Sequence, residues 1–217
     1  MSEMFKFESQ AATITLMDTP SNVAEPLAPI ADKDIREALI SHLWQRSLSP
    51  RAVIEEVRVH NGNAIADVVA VYQAPHCYEI KGETDAIRRI VRQGEFYDRV
   101  FQRITLVTTS NHLRSAERLC PPHWGVLVAE RGAVKVRLKY IRRASLSGSF
   151  DKQAALLTLW KRELIALCDG DLVGVEKISR QSLTNIIAAN LAPNDVSKKI
   201  GEMLVNRQMV SGCPLSM

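Results

Sequence analysis

Three charged residues stand where strand character is strongest. Asp67 lies in Ala66-Asp67-Val68-Val69, and Glu79 and Lys81 lie in Tyr78-Glu79-Ile80-Lys81. Side chains alternate along a strand, so Glu79 and Lys81 share one face. A fourth acid, Glu55 or Glu56, precedes Asn61-Gly62, the hairpin signal that pairs its strand with that of Asp67. Strand register decides which of the two faces the others. An acid in an apolar strand is costly to bury uncompensated, and one divalent cation compensates two acids at once. Mg²⁺ or Mn²⁺ on such a pair polarises a phosphoryl oxygen and acidifies a water. A lysine beside it stabilises the charge that develops at phosphorus. These residue types suit phosphodiester hydrolysis and require no Ser or Cys nucleophile. Read as structure alone, Glu79-x-Lys81 is a surface ion pair and Asp67 an acid bonded to a helix N-terminus.

A second group follows on a helix expected to open at Thr84 and run to about Phe101. Ala86, Ile90, Gly94, Tyr97 and Phe101 share its inner face, with Gln93 at the edge one turn before Tyr97 and Arg88, Arg92 and Arg99 opposite. Residues four apart on a helix are neighbours, so the polar ends of Gln93 and Tyr97 reach the same sheet edge or ligand. The plainer reading makes Tyr97 core and the arginines a solvated face.

The elements that must hold these residues alternate between strand and helix. Asp32 and Asp34 offer N-caps, an Asp34-x-x-Glu37 box opens a helix, and Ile35, Leu39 and Leu43 carry it toward Ser47. Strands are expected at 53–60, 64–72, 77–81, 104–108 and 124–129, with a helix over 111–119. Val134, Val136 and Leu138 then alternate with Lys135, Arg137 and Lys139, a half-exposed strand with one basic face. Beyond the Ser145–Ser149 linker come three apolar helical stripes. The first has Leu157, Trp160, Leu164 and Leu167, the second Leu183, Ile186 and Ile187, and the third, capped by Asp195, has Val196, Ile200 and Leu204. The plan is α/β, a mixed sheet flanked by helices. Residues 1–30 form an arm with a short strand at Ala12–Leu16, residues 31–145 the core, and residues 146–217 a C-terminal helical unit.

At 217 residues, 46% hydrophobic and 24% charged, the chain is not a largely disordered one. It has no apolar run of membrane-spanning length and no secretory core at its start, so a cytoplasmic protein without membrane contact is expected. Cys77, Cys120, Cys168 and Cys213 form no Cys-x-x-Cys pair, which argues against a zinc site or a disulfide framework. The net charge of +4 is concentrated in Arg131–Arg143, which holds six bases and no acid, and this fits a nucleic-acid partner.

An acid, a hairpin, Asp67, Glu79-x-Lys81 and a helix with Gln93-x-x-x-Tyr97, in that order, resemble the PD-(D/E)XK nuclease superfamily. The Gln-x-x-x-Tyr helix is similar to that of its RecB-like exonuclease branch. The run from Tyr78 through Asp85, Arg89, Arg92, Gln93 and Tyr97 to Ile104-Thr105-Leu106-Val107 is similar to uncharacterised bacterial and phage members. The likeness covers about residues 35–130 and continues more weakly through Leu157, Trp160, Glu163 and Leu164. It implies a restriction-endonuclease-like fold and a Mg²⁺- or Mn²⁺-dependent deoxyribonuclease of DNA repair, recombination or phage defence. It implies Asp67 and Glu79 as metal ligands with Glu56 as the helper acid, and Lys81 as the catalytic lysine. Gln93 and Tyr97 would order the site and the nucleic-acid backbone. Arg89 and Arg92 would join Lys135, Arg137 and Lys139 on DNA. Many nucleases of this fold act as homodimers. Two positions depart from the pattern: Ala66 replaces the Pro of the superfamily's name, and Ile65 stands where close members carry Arg. The rival expectation is a non-catalytic nucleic-acid-binding or regulatory protein. Its reader would be a helix-turn-helix-like pair, Gln181–Leu191 and Asp195–Arg207, joined through Ala192-Pro193-Asn194.

Overall fold

Runs of Val, Ile, Leu and Thr between turn residues build a six-stranded sheet in the computed structural model, which describes residues 28–168 and 174–210. The strands are β1 (Ala52–Val59), β2 (Ala64–Val71), β3 (Pro75–Lys81), β4 (Arg103–Thr109), β5 (Gly125–Arg131) and β6 (Val136–Arg142). They lie side by side in chain order. The β1–β2, β2–β3 and β5–β6 pairs are antiparallel, while β3–β4 and β4–β5 are parallel. Parallel neighbours need crossovers, and two helices supply them: α2 (Arg89–Val100) between β3 and β4, and α3 (Leu113–Leu119) between β4 and β5. The expected mixed α/β sheet flanked by helices is therefore present.

Each face of the sheet has its own core. On one, Val68, Ala70, Tyr78, Ile80, Val107 and Leu127 pack with Ile35, Leu39 and Leu43 of α1 (Asp32–Trp44). On the other, Val69, Val71, Cys77, Ile104, Leu106 and Val126 pack with α2 and with the C-terminal helices. These are α4 (Lys152–Leu156), α5 (Lys161–Ala166), α6 (Arg180–Asn190) and α7 (Pro193–Val210). Leu156, Leu164, Leu183, Ile187, Ile200 and Leu204 enter the same apolar cluster as the strands, so the C-terminal helices cover one face of the sheet. A Cβ on Gly201 would stand 3.0 Å from Gln73 O and 3.1 Å from Val71 Cγ1, so only glycine lets α7 lie this close to the β2–β3 turn. Among the described residues no helix is long and apolar enough to cross a membrane.

Several element ends differ from expectation, each for a local reason. The α2 helix begins at Arg89 rather than Thr84, because Asp85 Oδ2 accepts from Gly82 N at 2.7 Å and folds the intervening residues into turns. Asp34 reaches back to Ala31 N at 3.1 Å, so it serves as the third helical residue of α1 and not as its cap; Glu37 lies 3.9 Å from Lys33. The stripe from Leu157 to Leu167 breaks in two because Glu163 Oε2 accepts from Trp160 N at 2.7 Å and starts a new helix. Trp160 then turns outward, flanked by Arg162 and Arg207 at 4.3 and 4.2 Å from its ring centre. The α7 helix starts at Pro193, which has no N–H to lose there, and Asp195 sits within its first turn. Lys135 precedes β6, while Arg137 and Lys139 project from it as expected, both exposed. The strand expected at Ala12–Leu16 lies outside the described residues.

Helix α2 meets the sheet through Gly94, where a Cβ would stand 3.1 Å from Trp124 Cζ2 and 3.3 Å from its Cη2. Trp124 is fully buried and its Nε1 donates to Asp98 Oδ1 at 2.9 Å, so the ring has little room to yield. Gly94→Ala is expected to lift α2 and destabilise the protein by roughly 1 to 2 kcal/mol, overpacking outweighing the better helix propensity of Ala. Urea unfolding checks this; a variant as stable as wild type contradicts the close approach.

Candidate active site

The charged residues meet at a fork between β2 and β3. Backbone pairing of these strands runs from Val71 opposite Pro75 to Val68 opposite Tyr78 and then stops. Continued by one step it would set Asp67 opposite Glu79. Instead Asp67 Oδ2 accepts directly from Ile80 N at 2.7 Å, a side chain taking the place of the ladder. The helix-end role considered for Asp67 is not what it performs: its partner is a strand amide.

The strands change phase at the same place. Residues of one strand face alternate sides, yet Ala64, Ala66, Val69 and Val71 all belong to the cluster on the α2 face, as do Ala52, Val57 and Val59 of β1. Both strands therefore reverse the facing of their side chains, while keeping the same mutual register, between Glu55 opposite Val68 and Val57 opposite Ala66. The backbone that absorbs the reversal is Glu56, at φ 54°. That left-handed conformation is unfavourable for an ordinary L-residue.

Glu79 is fully buried. Its Oε1 accepts from Lys81 Nζ at 2.5 Å, and Tyr97 Oη lies 2.8 Å from its Oε2 and 2.6 Å from Ile65 O. A tyrosine hydroxyl has one hydrogen, so it cannot donate to both acceptors. Both contacts become hydrogen bonds when Glu79 carries a proton on Oε2 and donates to Tyr97 Oη, which donates to Ile65 O. Burial and then the nearby Asp67 charge push the Glu79 carboxyl up to about 7, against the pull of Lys81 and Tyr97. Asp67 is also raised, first by burial, against the Ile80 amide, Lys81 and Arg36.

Arg36 went unnoticed in the sequence. It reaches from α1, donates to Asp67 O at 2.9 Å and holds Nη2 3.7 Å from Asp67 Oδ1. It is anchored by Asp32 at 3.0 Å and reaches Glu55 at 3.4 Å. The spacing of Asp32 and Arg36, one helical turn apart, signals their pairing, but only tertiary structure shows that the pair leans on the fork. A cation thus stands beside Asp67, though Ile65 is not one.

The fork brings together Asp67, Glu79, Lys81 and Tyr97. Gln93 lies one turn before Tyr97, half-buried, and its buried Oε1 has no hydrogen-bond partner among the described residues. Glu56 is exposed and forms no hydrogen bond or ion pair among them. No three His, Cys, Asp or Glu side chains lie close enough among the described residues to hold a metal, so Glu56 does not join the two acids in this geometry. Arg89 and Arg92 are exposed on the first turn of α2, the helix that carries Gln93 and Tyr97. Arg137 and Lys139 lie on β6, three strands away from β3.

The family model described as Bacteriophage P4 protein cII matches residues 28–215. The chain belongs to this family. Protein cII of Enterobacteria phage P4 is 22% identical over 179 residues, covering 82% of this chain and 68% of the phage protein. A solved structure of a Silicibacter pomeroyi protein of unknown function aligns with 86% of this chain and 97% of its own at 12% identity, with a TM-score of 0.41. The cII family match spans every described element, so the sheet, the fork and the C-terminal helices fall within one family unit.

Two stability effects follow from the fork in this cII-family chain. A carboxyl raised in the folded state favours folding below its unfolded pKa, and that contribution is lost as pH rises through the folded value. For Glu79 the loss falls between the ordinary 4.5 and about 7. Without metal, Asp67→Asn removes one of the charges that raise Glu79, and it is expected to stabilise the protein by roughly 1 to 2 kcal/mol at pH 8 but little at pH 5. Melting curves in EDTA at both values test this, and a destabilised variant at pH 8 contradicts it. Glu56→Gly relieves the left-handed backbone and is expected to add about 1 kcal/mol; a loss of stability would show that the Glu56 side chain supports the fork.

Proposed function

We propose that this chain is a metal-dependent nuclease that hydrolyses phosphodiester bonds of DNA. The observation that carries the reading is the convergence of Asp67, Glu79, Lys81 and Tyr97 on one break in the sheet. Two carboxyls, both raised by burial and one of them further by the other's charge, form a hard-oxygen pair, and Mg²⁺ is commonly held by one or two carboxylates with waters completing its shell. Asp67 and Glu79 would hold Mg²⁺ or Mn²⁺, which when bound supplies phosphoryl polarisation and an acidified water. The chain's own groups do the rest. Tyr97 holds Glu79 through Oε2. Arg36 favours the ionised form of Asp67. Lys81, 2.5 Å from Glu79, carries the ammonium that stabilises charge on the phosphorane oxygen. Gln93 has a spare acceptor one turn along, and the exposed Arg89 and Arg92 on the same helix bind backbone phosphates. The restriction-endonuclease-like likeness of the sequence supports the same roles.

A second reading draws on the closure of the cluster. Glu79 has no exposure and its oxygens are already met by Lys81 and Tyr97, which suits a buried network that pins the fork in a non-catalytic nucleic-acid-binding protein. Incubation with single- and double-stranded DNA and with RNA, in Mg²⁺, Mn²⁺ or EDTA, separates the two. Cleavage of DNA that needs metal and falls at least about 100-fold in Asp67→Asn and Lys81→Met is expected. Mg²⁺ at about ten times its Kd should also add about 1.4 kcal/mol to wild-type stability. A fork indifferent to metal in both assays supports the non-catalytic reading.

The β6 cations give a separate expectation. Reversal of Lys135, Arg137 and Lys139 to Glu is expected to weaken DNA binding uniformly across sequences. It should lower the salt slope by about 0.9 per lost duplex contact. An unchanged slope assigns the DNA to the arginines of α2.

A further inference from the structure

A cavity lies at the opposite end of β3 from the fork, where β3 and β4 begin. It encloses about 830 Å³, within the range of small-molecule sites. Along the strand, His76 and Lys81 are roughly 16 Å apart at the strand rise, so the two sites are distinct.

The lining is segregated by charge. Arg46, Arg51, Arg103, Arg143 and Lys198 line the cavity, and no Asp or Glu does. The chain as a whole has 24 acids to 28 bases, so five bases without an acid form a concentrated positive field. None of the four arginines has a carboxylate partner among the described residues; Lys198 stands 3.9 Å from Asp195. Arg103 instead donates to Ala144 O at 2.9 Å. Arg46 and Arg143 lie 5.9 and 5.8 Å from the ring centre of Tyr140, which holds two like charges at the wall of the cavity. The field is felt by His76 in the lining, whose imidazole is held down at about 3 by desolvation, then by Arg103 and Arg46. Four arginines gathered with no carboxylate partner among the described residues attract an external anion.

The lining also holds Leu48, Leu146, Tyr72 and Tyr140, among neutral polar side chains such as Gln73, Gln102 and Asn194. Leu48 and Leu146 are exposed at 70% and 55% where they line the cavity. Tyr72 lines the same space with a buried hydroxyl that has no hydrogen-bond partner among the described residues. Guanidinium groups match phosphate oxygens, and apolar side chains beside them suit a nucleobase. From this we infer that the cavity binds a nucleotide, its phosphates on the arginines and its base on the exposed Leu48 and Leu146. The nucleotide is either free or part of a single strand, and the chemistry is the same in both.

The inference does not depend on nuclease activity and is tested with the fork silenced. Calorimetric titration of the full chain in EDTA uses three probes: ATP, inorganic tripolyphosphate and a short oligothymidylate. ATP is expected to bind at one saturable site, several-fold tighter than tripolyphosphate. Arg51→Glu with Lys198→Glu, both at exposed positions, should weaken ATP at least tenfold while leaving the melting curve unchanged. Leu48→Asp with Leu146→Asp should erase the preference for ATP over tripolyphosphate. Displacement of ATP by oligothymidylate assigns the site to a strand, and its failure assigns it to the free nucleotide. Three results would overturn the proposal: no saturable binding of any probe, tripolyphosphate binding as tightly as ATP, or equal affinity in the folded Arg51/Lys198 variant.

Discussion

The hydrogen bond from Ile80 N to Asp67 is the contact on which the rest of the site depends. A buried strand amide must be paired, and beyond Val68 strand β2 no longer supplies a carbonyl to β3. The Asp67 carboxylate fills that position at 2.7 Å. Its presence there draws a negative charge to within electrostatic reach of Glu79, which adds to the effect of burial on that carboxyl, while Asp67 is itself raised by burial. A fold under selection for stability alone would place an amide or a hydroxyl at such a point, since either can accept the bond without the charge. The carboxylate is the costlier choice, and that cost is what makes a cation-binding function the natural reading of the fork.

Everything around the fork restrains those two acids. The α1 helix brings Arg36 to one of them, and α2 brings Tyr97 to the other. The α2 helix can do so because Gly94 lets it settle on Trp124, while Asp98 takes the indole N–H and lies 2.6 Å from His123. The C-terminal helices then close the same face, with Leu183, Ile187 and Leu204 in one cluster with Tyr97 and Val69. The helical unit thus packs against the face that holds the site. The cation-lined cavity at the far end of β3 draws on both faces, with Tyr140 of β6 and Lys198 of α7 in its wall.

Much of this was legible in the residues. The strands and the shared face of Glu79 and Lys81 follow from period-two patterning, and Asn61-Gly62 marks the hairpin that sets the Asp67 strand beside β1, whereas the order of the six strands in the sheet does not follow from it. Gln93 and Tyr97 were placed together by helical spacing. What escaped the sequence was tertiary. The change of phase at Glu56 uses a left-handed glutamate, for which no Gly or Asn gave warning. Glu56 was expected beside the two acids, yet it is exposed and the described residues form no three-acid group. Arg36 lies 31 residues from Asp67 and is directed there by the packing of α1 on the sheet. Helix α2 starts late and the Leu157–Leu167 stripe breaks because single carboxylates, Asp85 and Glu163, capture backbone amides that periodicity alone assigns to a continuing helix.

The proposed function requires Asp67 and Glu79 to be a buried pair of acids that a divalent cation would relieve. Carbon-detected NMR of the Glu79 side-chain carboxyl, titrated with and without Mg²⁺, reads that directly. A midpoint near 7 is expected in EDTA, moving well below the ordinary glutamate range when Mg²⁺ is added. A midpoint that stays at the same value with and without Mg²⁺ would contradict it.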